Sequence, residues 1–205
     1  MGWWSEQVVP RITHAALGTR AVRAVRSRAL VGAHGEVVEL GFGSGPNLAV
    51  YPPAVTSVLA VEPSPVARRL AGPAIAASSV PVGHVGLDGE DLPLDDDSAD
   101  TVVSTFTLCT IPDLPRALGE VRRVLRPGGT FLFLEHGLAP EPRLARWQRL
   151  LDPLQHRVFA GCHLVRPIDE RVRAAGFTIT QLTHERLRGP GALSYLYLGV
   201  ARGRP

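Results

Sequence analysis

Apolar residues along the chain fall into short runs separated by stretches of helical spacing. The runs at 37–40, 55–61, 80–87, 101–106 and 130–135 have the length and β-branched content of buried strands. Segments 65–77, 114–125, 142–154 and 168–175 read as the helices between and after them. In the second of these, Leu114, Leu118, Val121 and Leu125 recur at helical spacing and turn one face to a sheet, while Arg116, Arg122 and Arg123 point elsewhere. Gly72-Pro73 predicts a break in the first, because proline has no N–H to continue a helix. Gly176 predicts the stop of the last. Strands alternating with helices make a parallel sheet covered on both faces. The end of the chain differs. Segments 177–187 and 195–201 are strand-like, and the short Arg188-Gly189-Pro190-Gly191 connection makes them a hairpin, so the last strand runs antiparallel to its neighbour. The expectation is an α/β three-layer sandwich with a seven-stranded, mostly parallel sheet that ends in an antiparallel C-terminal hairpin.

With 205 residues and 45% apolar content, the chain suits one domain over 1–205. Residues 1–34 form an N-terminal helical segment and 137–166 a helical insert near the substrate side. No apolar run reaches the ~18–20 residues of a membrane span. The first residues also lack the basic start and apolar middle of a secretory signal. Two cysteines, Cys109 and Cys162, are too few for a disulfide framework, so free thiols and a cytoplasmic location are expected. A net charge of +3 gives no support for a nucleic-acid partner. All 22 basic residues are arginine, which excludes Schiff-base chemistry and a lysine general base. It also excludes a phosphate loop that needs Gly-Lys-Ser/Thr.

The sharpest motif is Glu39-Leu40-Gly41-Phe42-Gly43-Ser44-Gly45, which follows the first strand and is expected to lead into a helix. Glycines at alternate positions let the backbone turn tightly and approach a ligand without a Cβ in the way. A dinucleotide fingerprint places its third glycine one residue later, where this chain has Pro46. Glu39 at the head of the loop favours a ligand that carries positive charge. Glu62-Pro63 closes the second strand, where a carboxylate can accept hydrogen bonds from both hydroxyls of a ribose. Asp88-Gly89-Glu90 follows the third, with acids that can receive an amino group. Three such features at successive strand C-terminal ends mark a ligand site in an open α/β sheet.

In these motifs the sequence resembles the class I S-adenosylmethionine-dependent methyltransferases, in the broad group with the ubiquinone and menaquinone methyltransferases. The likeness runs through "VVELGFGSGPN", "AVEPS", "GLDGEDLPLDDDSADTVVSTFTLCTIPD" and "EVRRVLRPGGTFLFLEHG". It implies a Rossmann-like methyltransferase fold and S-adenosylmethionine as cofactor. Carried over by position, Glu39, Gly41, Gly43, Gly45 and Asn47 line the methionine end, Glu62 and Pro63 hold the ribose, and Asp88, Gly89 and Glu90 meet the adenine. Thr105, Phe106 and Leu108 flank the cofactor and the methyl. A narrower likeness is to methyltransferase-like proteins that methylate small alkyl thiols. It rests on Tyr51-Pro52-Pro53, on "TLC" after strand four, on "LRPGG…EH", and on "LDP" followed by "GC-x-L-x-R".

The expected activity is methyl transfer to a small lipophilic acceptor, with a thiol as leading candidate. A quinone-like or phenolic ring is the alternative, and a cofactor-binding protein without catalysis is a rival of a different class. The strand-four exit, Ser104-Thr105-Phe106-Thr107-Leu108, lacks the Asn/Asp-Pro-Pro-Tyr/Phe corner that binds planar amides and amines. His136, after Glu135 at the end of strand five, is the candidate catalytic base or polar substrate contact, and shaping the pocket is its other reading. Cys109 and Cys162 read as buried small hydrophobes. His14, His34, His84, His156 and His184 have no metal-like spacing, so no metal site is expected. Trp3 and Trp4 read as a structural anchor for the N-terminal helix, a cover over the substrate mouth or a weak peripheral membrane contact. The helix after them, with Arg20, Arg23, Arg26 and Arg28, reads as a surface helix with a solvated charged face or one that lies on anionic lipid. Nothing in the sequence bears on oligomeric state.

Overall fold

The computed structural model describes residues 2–86, 88–187 and 194–203. Seven strands form one sheet: β1 (Gly35–Leu40), β2 (Val55–Val61), β3 (Val82–Gly86), β4 (Ala99–Thr105), β5 (Leu125–His136), β6 (Thr178–Arg186) and β7 (Tyr195–Arg202). Their order is β3-β2-β1-β4-β5-β7-β6. The first five strands are mutually parallel, while β7 pairs antiparallel with both β5 and β6. The hairpin connection 188–193 and the expected strand residue Leu87 lie outside the described residues.

Alternation along the central strands fills cores on both faces. Val38, Leu40, Val102, Phe131 and Phe133 pack on one side with α4 (Leu114–Val124) and α6 (Ile168–Ala174). Val37, Val103 and Leu132 face the other side with Leu30, Phe42 and Ala71, the last from α3 (Pro65–Ala76). Each fully buried aliphatic or aromatic side chain contributes about 1.5–3 kcal/mol. Gly199 sits opposite Phe133 on the neighbouring strand, where a Cβ would come within 1.9 Å of the ring. The missing side chain is what lets that phenylalanine lie flat against β7.

Three expectations are corrected. Helix α3 runs through Gly72-Pro73 without breaking. Pro73 and Arg69, whose carbonyl loses its partner, are both exposed, so water can satisfy it. The glycine loop leads into successive turns and not a helix, with Leu48 N donating to Gly45 O at 3.2 Å and Tyr51 N to Asn47 O at 3.1 Å. Pro46 and the Pro52-Pro53 pair leave too few free N–H groups for a regular helix there. Strand β5 begins at Leu125, which pairs with Ala99 before the Arg126-Pro127-Gly128-Gly129 turn, and the pairing resumes at Thr130.

The N-terminal segment begins with a wide helical turn, Trp4–Val8, that continues as α1 (Val9–Leu17) and then α2 (Arg20–Ala29). Trp4 Nε1 donates to the Val158 carbonyl at 2.8 Å, and His14 Nδ1 lies 2.7 Å from Ser44 Oγ in the glycine loop. The segment thus touches both α5 (Pro142–Val158) and that loop, while Trp3 is exposed. Among the described residues no helix is long and apolar enough to cross a membrane.

Candidate functional site

The three glycines of the loop adopt positive φ, +66° at Gly41, +59° at Gly43 and +73° at Gly45. Their surroundings differ. A Cβ on Gly41 would stand 2.0 Å from Thr107 Oγ1, and one on Gly45 would press the Phe42 ring at 3.2 Å. A Cβ on Gly43 would meet only the Gly41 carbonyl at 3.8 Å. Gly41 and Gly45 are thus demanded by packing, whereas Gly43 opens on free space. Beside that space lies Glu62, 7% exposed. Its Oε2 accepts from Gly43 N at 2.7 Å and its Oε1 from Ser64 N at 2.8 Å. Burial raises its pKa, and the two backbone donors oppose that rise. Each oxygen keeps a second lone pair, so the carboxylate can fasten the loop and still accept from a ligand's hydroxyls. Glu62→Ala should weaken S-adenosylmethionine binding by about 1.5–3 kcal/mol, the cost of losing hydrogen bonds to a charged group. Calorimetry on the folded variant checks this, and unchanged affinity would remove Glu62 from the site.

Glu39 departs from its expected role. It is completely buried, and its oxygens accept from Tyr51 Oη at 2.6 Å and Asn47 Nδ2 at 2.8 Å. With each oxygen engaged and no exposed surface, Glu39 holds the floor beneath the loop. Arg26 joins this network from α2, donating to Asn47 Oδ1 at 2.8 Å and Thr105 Oγ1 at 2.6 Å. Its guanidinium lies 5.2 Å from the Phe106 ring centroid, and Phe106 itself has φ +56°. Thr105 also accepts from Asn47 Nδ2 at 3.1 Å. Burial lowers the Arg26 pKa, against the pull of Glu39 and Glu135. Burial pushes Glu39 up to about 7, opposed by its bonds to Tyr51 and Asn47 and by Arg26.

This raised value has a definite sign in stability. Between about pH 4.5 and pH 7 the folded chain holds a proton at Glu39 that the unfolded chain has released. The resulting stabilisation is complete below the unfolded value and is lost as pH rises through about 7. It amounts to on the order of 3 kcal/mol. Glu39→Gln should make the fall in stability between pH 5 and pH 8 visibly shallower in denaturant titrations. An unchanged slope would contradict the assignment.

At the end of β3, Asp88 Oδ1 accepts from Glu90 N at 2.8 Å, and Glu90 Oε1 accepts from Asp113 N at 2.8 Å. These acids brace their own loop. Gly89 lies over the end of β1, where a Cβ would touch Leu40 and Ile111 at 3.6 and 3.7 Å. Pro63 is exposed beside Glu62. Leu108 is placed differently from its expected position along the cofactor: its side chain has no exposed surface and packs in the main core.

His136 ends β5 and is half-buried. Its Nε2 is 2.8 Å from Cys162 Sγ, which in turn stands 3.6 Å from Cys109 Sγ. Its Nδ1 is buried without a hydrogen-bond partner. Burial would lower the His136 pKa, but contact with Cys162 and the charges of Cys162, Glu135 and Asp152 turn the balance upward. The Cys162 thiol is shifted down, first by Cys109 and then by His136, while Cys109 is shifted up, first by Cys162 and then by burial. Next door, buried Glu135 accepts from Ser104 Oγ at 2.7 Å and from Thr107 N at 2.9 Å. The segment after α5 is tied down by His163 N donating to Cys109 O at 2.9 Å and by Arg166 donating to Ile111 O at 2.7 Å. Sequence reasoning missed Arg26, Tyr51 and Glu135 as members of the site, and read the two cysteines as separate packing residues.

The family described as "Methyltransferase domain" matches residues 38–133. The thiol S-methyltransferase TMT1B of Homo sapiens is 34% identical over 182 residues, covering 84% of this chain and 71% of that protein. The human thiol S-methyltransferase TMT1A is 36% identical over 157 residues, covering 72% of this chain and 62% of that protein. The chain therefore spans about three fifths of the length of TMT1A. A crystal structure described as an S-adenosylmethionine-dependent methyltransferase, possible histamine N-methyltransferase, from Thermotoga maritima superposes with a TM-score of 0.69. It shares 23% identity and is covered over 98% of both chains, a likeness of fold. The glycine loop fastened to a strand-end carboxylate, the strand order with its antiparallel hairpin and these matches agree: the chain belongs to the class I S-adenosylmethionine-dependent methyltransferases.

Proposed function

We propose that this methyltransferase acts on a small lipophilic acceptor, and that the acceptor is a thiol. The observation that carries the reading is the cluster of half-buried His136 with buried Cys162 and Cys109, formed where the segment after α5 docks on the exits of β4 and β5, in a chain whose strand-four exit lacks an amide-binding corner. The similarity to proteins named thiol S-methyltransferases supports it.

The residues fit the cofactor. Open space at Gly43 lies against the Glu62 carboxylate, and Gly89 leaves room over the end of β1. Glu62 would take the ribose, the Asp88–Glu90 loop the adenine side, and the partly exposed Phe106, over the buried Asn47–Thr105 network, the methionine side. S-adenosylmethionine supplies a methyl group already activated by its sulfonium. The protein then has to align the acceptor in line with that group and keep water out. A thiol needs little help, because sulfur is intrinsically a strong nucleophile and a small thiolate fraction suffices for displacement at a sulfonium methyl. The test is a screen of alkyl thiols, phenols, quinols and amines, read as initial rates of S-adenosylhomocysteine release. Thiols should be the fastest class. Turnover of a phenol or quinol with none of any thiol would overturn the thiol assignment.

A further inference from the structure

We propose that Cys109, His136 and Cys162 form a zinc site with one open position, and that this position binds the acceptor thiol. The inference rests on the thiol reading for its substrate, but the metal site itself stands on separate observations.

Among the described residues this is the place where three metal-ligating side chains converge, with ligand atoms all within 4.8 Å of one another. The chemistry of the set is selective. Two thiolates and one imidazole suit zinc, and three protein ligands with a vacant fourth position are the arrangement of catalytic zinc sites. The two sulfurs stand 3.6 Å apart. Two thiolates at ~2.3 Å from one tetrahedral zinc are separated by about 3.8 Å, so the observed spacing is close to that of a shared metal. His136 Nε2, 2.8 Å from Cys162, is nearer than a zinc-bound pair would sit, and a small swing of the imidazole would admit the ion.

The three ligands come from different elements: the loop after β4, the end of β5 and the segment after α5. The two cysteines are each held by something else, while His136 is placed by its position at the end of β5. Cys109 O accepts from His163 N, Cys162 N donates to Phe159 O at 3.1 Å, and Gln155 Nε2 donates to Cys162 Sγ at 3.6 Å. The cysteines are 1% and 6% exposed, while His136 retains part of its surface. The buried sulfurs close the inner side, which leaves the side next to the histidine for a fourth ligand. The end of β5 that carries His136 is tied to the cofactor loop, because the preceding residue, Glu135, bonds Thr107 N and the Thr107 side chain packs against Gly41.

The step balances as follows. The acceptor thiol binds zinc through sulfur and releases its proton to solvent. The bound sulfur's lone pair forms the new S–CH3 bond. The bond from the methyl carbon to the sulfonium breaks, and its electron pair stays on the departing S-adenosylhomocysteine. The neutral thioether product is a poor zinc ligand and leaves.

The test uses the full chain, reduced and stripped with a chelator, then titrated with Co2+ without oxygen. One equivalent should bind with the visible bands of tetrahedral cobalt and a near-ultraviolet thiolate charge-transfer band, and Zn2+ should displace it. Adding hexane-1-thiol without S-adenosylmethionine should intensify the charge-transfer band. C109S and C162S should each weaken that band, and H34A, at a surface histidine, should leave it unchanged. Chelation should slow hexane-1-thiol methylation by roughly tenfold or more, with recovery on adding Zn2+. No tetrahedral spectrum, a spectrum unaffected by C109S, or a Cys109–Cys162 disulfide in protein kept under reductant would overturn the site. Cobalt bands that ignore hexane-1-thiol would overturn the open position. Full thiol turnover without metal would also overturn the proposal and leave the thiol-methyltransferase reading standing. Tight zinc binding in an enzyme that methylates only phenols would break the thiol reading instead.

Discussion

Gly43→Val gives a folded protein that no longer binds S-adenosylmethionine. Two physical effects act at this position. A β-branched residue is strained at φ +59°, at a cost of about 1–3 kcal/mol. The new side chain also points into the open space beside Glu62, where its only close neighbour is the Gly41 carbonyl at 3.8 Å. Nothing in the core moves, so the sheet persists. Gly41→Val is the informative contrast. Its Cβ would collide with Thr107 Oγ1 at 2.0 Å, so that variant should lose stability as well as binding. Calorimetric titration with the cofactor, paired with urea denaturation, separates the two. Normal affinity in Gly43→Val would mean that the loop is a turn and not a cradle.

Arg26→Ala should destabilise the protein by about 3–5 kcal/mol, the range for removing one member of a buried charged network. Its guanidinium is 2% exposed and bonds both Asn47 and Thr105, so its loss strips the Asn47 oxygen of a donor. It also removes the cation that partly offsets the burial of Glu39. Arg26→Lys should recover part of the loss, because both bonds leave one nitrogen, Nη1, and a single ammonium carries enough donors for two acceptors, but the guanidinium plane near Phe106 is lost. Urea midpoints for the three proteins check this. A loss under about 1 kcal/mol in Arg26→Ala would place the residue among ordinary surface charges.

The sheet was legible because each strand carries a compact apolar run and each helix a clear face. The loops were legible through glycine and acid placement at strand ends. Arg26 shows where reading a helix by charge misleads. Val22, Val25, Arg26 and Ala29 share one helical face at spacings of three and four, and all four are buried. The arginine lies inside the apolar stripe, a signal present in the sequence and passed over because neighbouring arginines suggested a solvated face. Leu108 shows the opposite limit. An apolar residue at a strand exit has the same pattern whether it lines a ligand or fills a core. Glu39 was rightly placed at the loop, but its burial depends on Tyr51, twelve residues on, folding back over it. The sulfur–imidazole cluster was invisible to ligand-spacing rules, since Cys109 and Cys162 are 53 positions apart and meet only when the segment after α5 docks on the strand exits.

The most direct test of the account is to supply S-adenosylmethionine carrying a deuterated methyl group, together with hexane-1-thiol, 1-hexanol and hexylamine in equal amounts, and to weigh the products by mass spectrometry. The account predicts a labelled methyl thioether with matching release of S-adenosylhomocysteine, and little label in the ether or the methylamine. Label confined to oxygen or nitrogen, with the thiol returned unchanged, would contradict it.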